Sequence, residues 1–189
     1  MFTKSTKKGR IFLGLCASLI ILVAGCGNNE ETADKESVAS STAESAEVVA
    51  SASISSKPED LVMGLSEEGG WIFAATDDIT LTEDLVVAGT FYDKDDTSAD
   101  IYRKLALYAQ DEDRKVTAEY TLTVPTIIVE SPNFKIENGT VVGDIVVKAE
   151  GFTLANSTVE GNVTFDSQEL MDASTFDGET ITGETTVAK

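Results

Sequence analysis

Two consecutive stretches decide the fold: TIIVESPNFKIENGTVVG, residues 126–143, and DIVVKAEGFTLANSTVEG, residues 144–161. Written one above the other, they agree at an offset of 18. Ile127 sits over Ile145, Val129 over Val147, Phe134 over Phe152 and Ile136 over Leu154. Asn138 sits over Asn156, Thr140 over Thr158, Val141 over Val159 and Gly143 over Gly161. A third copy opens at Asn162 with Val163 and Phe165, and resumes at Phe176, Thr180, Ile181 and Gly183 after a short insertion.

A near-constant period of this size marks a solenoid. Each copy holds three short alternating pieces, and alternation places their apolar side chains on one face. Gly, Asn and Pro between the pieces supply turns. The expected fold is all-β, a short single-stranded parallel β-helix. Stacking would place Phe134 on Phe152 and Asn138 on Asn156 at about 4.8 Å per turn. The rival is a small antiparallel sandwich, which also has short strands at regular spacing. The residue-by-residue match argues against it. The strand pattern resembles that of right-handed single-stranded β-helices and lacks the hexapeptide rhythm of left-handed ones; handedness stays open.

The same opening pattern runs upstream more weakly, at Leu85 with Val87 and at Leu105 with Leu107, and Val187 closes a last partial copy. These starts give about six turns, some partial, in a rod on the order of 30 Å long. Ahead of them, Ser56 and Glu59 have capping-box spacing. Leu61, Val62 and Leu65 then share a helical face, and Gly69-Gly70 ends the segment. A helix here would cover the first turn, because an open end invites edge pairing. The division expected is a capping helix and first strand over 56–83 and β-helix turns over 84–189.

Residues 27–57 read GNNEETADKESVASSTAESAEVVASASISSK, rich in Ser, Ala and Glu and without an aromatic residue. Such a stretch buries too little surface to offset its ordering entropy. It is read as a disordered tether over 26–55, spanning on the order of 30 Å as a coil.

Before it stand a basic start with Lys4, Lys7, Lys8 and Arg10, and an apolar run over residues 11–24 too short to span a bilayer comfortably. This is the pattern of an export signal. Its end, LVAGC at residues 22–26, resembles the lipobox of bacterial lipoproteins. The resemblance covers residues 1–26. It implies cleavage behind Gly25, a diacylglyceryl thioether on Cys26, and residence on the extracytoplasmic face of the cell membrane. Two acyl chains hold a protein stably where one binds marginally. Cys16 would leave with the signal, so no intrachain disulfide is expected. The alternatives are an uncleaved anchor or a plain secretory signal. Beyond residue 26, the repetitive β-rich domain resembles those of small envelope lipoproteins.

The chain of 189 residues carries 14 Lys plus Arg against 33 Asp plus Glu, net −19. Removing the four basic residues of the leader, which holds no acid, leaves 10 against 33, net −23. Such a charge repels nucleic acid and anionic headgroups. There is no histidine, which excludes Ser-His-Asp and Cys-His sites and the commonest zinc ligand.

Two acidic runs invite a calcium reading: Asp93, Asp95 and Asp96 in FYDKDDTSAD, and Asp111, Glu112 and Asp113 in AQDEDR. Neither has the glycine and distal glutamate of an EF-hand, so solvated loops are the preferred account. Arg103 and Arg114 lie near these aspartates. In pectate-lyase-like β-helices an arginine beside calcium-binding aspartates abstracts a proton, but no matching motif is present, and surface charge pairs are the better reading. Asn138, Asn156 and Asn162 fit a glycosylation pattern that turn and ladder roles explain equally well. Trp71 and Tyr92 could stack on sugar rings, although packing at the capped end is the preferred duty. The expectation is a lipid-anchored, non-enzymatic binding, adhesion or structural module without metal or cofactor. Its partner would be a wall polymer or an envelope protein. The alternative is a polysaccharide-binding or carbohydrate-active β-helix.

Overall fold

A computed structural model describes residues 52–189, all within the compact unit Ser45–Lys189. The signal, Cys26 and nearly all of the expected tether lie outside the described residues. The domain is all-β, with its strands in two large parallel sheets and one small antiparallel hairpin. Neither large sheet closes on itself.

The first sheet runs in the order Ala52–Ser55, Ile72–Ala75, Arg103–Ala106, Phe134–Glu137, Thr153–Ala155 and Thr175–Asp177. The second is built on two long strands, Thr121–Val129 and Thr140–Val147, each bent in the middle. Their first halves pair with each other and with Ile79–Thr80 and Thr158–Glu160, the latter pairing on to Thr180–Ile181. Their second halves pair with each other and with Leu85–Val87 and Val163–Phe165, the latter pairing on to Thr185–Val187. Every pairing within the two large sheets is parallel. That overturns the antiparallel sandwich.

The register follows the sequence offset. Ile127 pairs with Ile145 and Ile145 with Val163. Thr140 pairs with Thr158, and Ile136 with Leu154. The alternating apolar residues all point inward. Phe134, Phe152 and Phe165 are fully buried and continue to Phe176 in a run of rings spaced 6.3–6.5 Å, the separation aromatic pairs favour. Corners have specific causes. Asn138 and Asn156 adopt φ of 56° and 50°, a left-handed conformation that Asn tolerates better than most residues. Gly143 marks the bend of its long strand at φ 148°, and a Cβ there would overlap the Val124 carbonyl oxygen.

Four expectations need correction. Leu105 does not open a repeat copy as Ile127 does; it pairs with Phe73 and Ile136 in the first sheet. The hairpin of Tyr108–Gln110 and Val116–Glu119, inserted after this strand, displaces the register. Ala52–Ser55, assigned to the tether, pairs in register with Ile72–Ala75. The helix α1, Pro58–Gly64, has Lys57 at its N-cap with no side-chain cap. Ser56 does not cap it; Pro58 at the first helical position presets the backbone instead. Leu61 and Leu65 are fully buried against the core, but Val62 is 47 % exposed, one residue too far round the helix. Among the described residues no helix is long and apolar enough to cross a membrane.

Candidate functional site

Polar residues converge on the outer side of the first sheet. The strand Arg103–Ala106 alternates, so Leu105 points into the core and Lys104 outward. Phe134–Glu137 does the same with Lys135 and Glu137 outward. The register sets Lys104 beside Lys135, a like-charge pair that is destabilising alone. Glu137 resolves it: one carboxylate oxygen accepts from Lys104 Nζ at 2.8 Å and the other from Lys135 Nζ at 2.6 Å. The Tyr108 hydroxyl, delivered by the hairpin, donates to the same carboxylate at 2.9 Å.

This network sets the ionisation. Burial alone would raise the Glu137 pKa, but hydrogen bonds from Lys104 and Lys135 outweigh it and hold the carboxyl at about 2. Burial would likewise lower Lys104, yet the bond to Glu137 turns the balance upward. The Tyr108 phenol is raised by burial and by its bond to Glu137. Lys104 therefore stays charged and the Glu137 carboxylate stays ionised across the physiological range.

Lys104 stands between two hollows. One, of about 390 Å³, is lined by Trp71, Tyr102, Ile101, Asp93, Asp100 and Lys104. The other, of about 380 Å³, lies along the hairpin and is lined mainly by Ile54, Ile72, Ala74, Ala106 and Tyr108. The Trp71 and Tyr102 rings pack at 6.2 Å with a 42° tilt. Burial raises the Tyr102 phenol, and the Trp71 indole N–H is buried without a protein acceptor. The hollow thus brings two aromatic rings together with the charged side chains of Lys104, Asp93 and Asp100. No family model matches the chain, and no curated protein or solved structure does.

Of the residues singled out in the sequence, Trp71 and Asp93 belong to this site. Tyr92 does not join Trp71; it forms an isolated antiparallel bridge with Ile101, and Tyr102 takes the place beside the indole. Asp93 forms an exposed pair with Lys94 at 3.5 Å, and Asp96 accepts from the Ser98 backbone and hydroxyl, which lower its pKa. Asp95 is exposed in the same turn. Asp111, Glu112, Asp113 and Arg114 are exposed at the hairpin tip, where Asp111 accepts from the Lys115 N–H. Among the described residues no three acidic side chains gather so as to hold a metal ion. Asn162 bonds Asp144 in the next strand at 3.1 Å.

Arg103 is the largest departure from expectation. It is not a surface charge but fully buried. Its Nε donates to the Gly70 carbonyl at 3.2 Å, one terminal nitrogen to Gly64 and Ser66 at 3.0 and 2.8 Å, and the other to Ala88. The guanidinium also lies 4.1 Å from the centre of the Phe91 ring. It ties the end of α1 to the first strands. Tyr102, Lys104, Tyr108, Lys135 and Glu137 were not singled out in the sequence. The signal that could have found them is an outward lysine at the same place in RKLA and FKIE.

Proposed function

We propose that the chain is a lipid-anchored, extracytoplasmic binding module whose first sheet carries a site for a polysaccharide of the cell envelope. In this reading the two parallel sheets wind as a β-helix of about 18 residues per turn, held off the membrane by the tether and by acyl chains on Cys26. Register at the offset of 18, bends at Gly143 and a continuous apolar interior support the winding.

The observation that carries the binding role is the hollow floored by Trp71 and Tyr102 beside Lys104. Sugar rings have apolar faces that lie on aromatic rings and hydroxyls that bond to charged groups at the rim. Lys104, Asp93 and Asp100 supply both donors and acceptors. The non-enzymatic reading is supported by Glu137, whose two lysines and tyrosine keep it from exchanging a proton near neutral pH. It is also supported by Arg103, whose burial against carbonyls withdraws it from the lyase role. The second sheet's outer side carries the ladder Thr121, Thr140, Thr158 and Thr180, as expected of a supporting wall.

The test is co-sedimentation of the full chain in detergent with purified envelope polysaccharide, in calcium and in EDTA. Saturable pelleting in both buffers is expected, lost in Tyr102→Ala and kept in Thr164→Ala on the second sheet. No pelleting, or equal pelleting by Tyr102→Ala, overturns the site. Pelleting lost only in EDTA would move it to the Asp93–Asp96 loop.

A further inference from the structure

A second surface lies at the capped end. Helix α1 turns Leu61 and Leu65 inward, which leaves Val62 and Met63 facing out. Val86 projects beside them from the strand Leu85–Val87. Together with Ala88 they form the floor of an open groove of about 640 Å³. Val62, Met63 and Val86 are 47, 57 and 44 % exposed. Ile54, 66 % exposed, shares an adjoining hollow with Met63. Of the large hydrophobic residues exposed among the described residues, only Val116 lies elsewhere. Single exposed apolar residues need no explanation, but a contiguous patch rimmed by polar groups marks an interaction surface.

The rim states the charge of the occupant. Glu59, Glu67 and Glu68 line the groove, and no lysine or arginine does. None of the three is in an ion pair among the described residues. An apolar floor inside an acidic rim complements an apolar segment flanked by cations. A second copy of this chain would bring the same carboxylates against these, and an anionic membrane surface would be repelled.

We propose that the groove between α1 and the strand Leu85–Val87 docks an apolar, lysine- or arginine-flanked segment of a partner protein. This surface shares no residue with the Trp71 hollow, so either assignment can fail without the other.

Met63 supplies the reporter. The full chain in detergent, labelled with ¹³C at its methionine methyls, is titrated with a synthetic amphipathic peptide of leucine and lysine. The Met63 methyl should shift saturably while Met171, in the helix Gln168–Asp172, stays fixed. The double variant Glu67→Lys with Glu68→Lys should weaken binding on the order of tenfold, and a leucine–glutamate peptide of the same pattern should leave Met63 unmoved. An absent Met63 shift overturns the proposal, as does an equal response to the acidic peptide. So does a Met63 signal that moves on dilution of the protein alone, which would make the occupant a second copy. A Met63 methyl already shielded from a soluble paramagnetic agent in the free chain would make the occupant the preceding residues of this chain, and that too would overturn the proposal.

Discussion

Arg103→Met tests how α1 is held against the first strands. The guanidinium is fully buried and no carboxylate forms an ion pair with it among the described residues. Burial pushes its pKa down to about 10, so it remains charged at neutral pH, at a cost to folding of about 3 kcal/mol. Methionine removes that cost. It also removes hydrogen bonds to four carbonyls, and bonds from a charged donor contribute about 1.5–3 kcal/mol each. Gly64 and Ser66 keep a second donor in the N–H groups of Gly70 and Gly69, so the low end of that range applies. Even there the lost bonds outweigh the relieved burial by about 3 kcal/mol, on the order of 10 °C in Tm for a domain of this size. Urea and thermal unfolding followed by fluorescence of the single tryptophan, Trp71, would measure it. Arg103→Lys keeps the charge without the planar fork and should recover less than half of the loss. A methionine variant within about 1 kcal/mol of the parent would refute the reasoning, because the carbonyls would then be satisfied without the arginine.

Three further outcomes are expected. The folded Glu137 carboxyl sits at about 2 against an ordinary 4.5, so its contribution is complete above pH 4.5 and lost as pH falls toward 2; Glu137→Gln should flatten that limb of an acid titration of stability. Gly143→Ala should destabilise by about 2 kcal/mol or more, since φ is 148° and the methyl meets the Val124 carbonyl, and thermal unfolding would register it. Cys26→Ser should abolish metabolic labelling with an alkyne palmitate and free the protein from the membrane fraction.

The stacked half of the fold was legible because its cause is local and repeated. Ile127, Ile145 and Val163 occupy the same inward place at the same interval of 18, with nothing inserted between them. Leu105 was misplaced because the interval is measured along the chain while pairing is decided in space. The hairpin Tyr108–Glu119 adds residues between the strands Arg103–Ala106 and Thr121–Val129, and a fixed offset then points to the wrong sheet. The strand Ala52–Ser55 was hidden by its composition, since ASIS has little apolar content and owes its order to the Ile72–Ala75 edge. The site was least legible. Lys104 and Glu137 are distant in sequence, and each alone resembles any solvated charge. Only the register that sets Lys104 against Lys135 makes Glu137 a shared partner. Arg103 failed for the opposite reason: the aspartates a few residues before it suggested a surface charge pair, while its partners are carbonyls brought in by the end of α1, the loop after it and the loop after Val87.

The 18-residue segment 144–161 has a property that concerns evolution more than stability. On one side it meets the preceding copy through Ile145 against Ile127, and on the other it meets the next through Ile145 against Val163. Its two edges are therefore complementary to each other. In the winding proposed above, a tandem duplication of this segment would seat itself between its neighbours and lengthen the domain by about 4.8 Å. The capped end and the lysine–glutamate network would be untouched. Length in such a chain is a quantity that slippage during replication can add or remove in whole steps, so variants differing by one or more such steps should remain foldable.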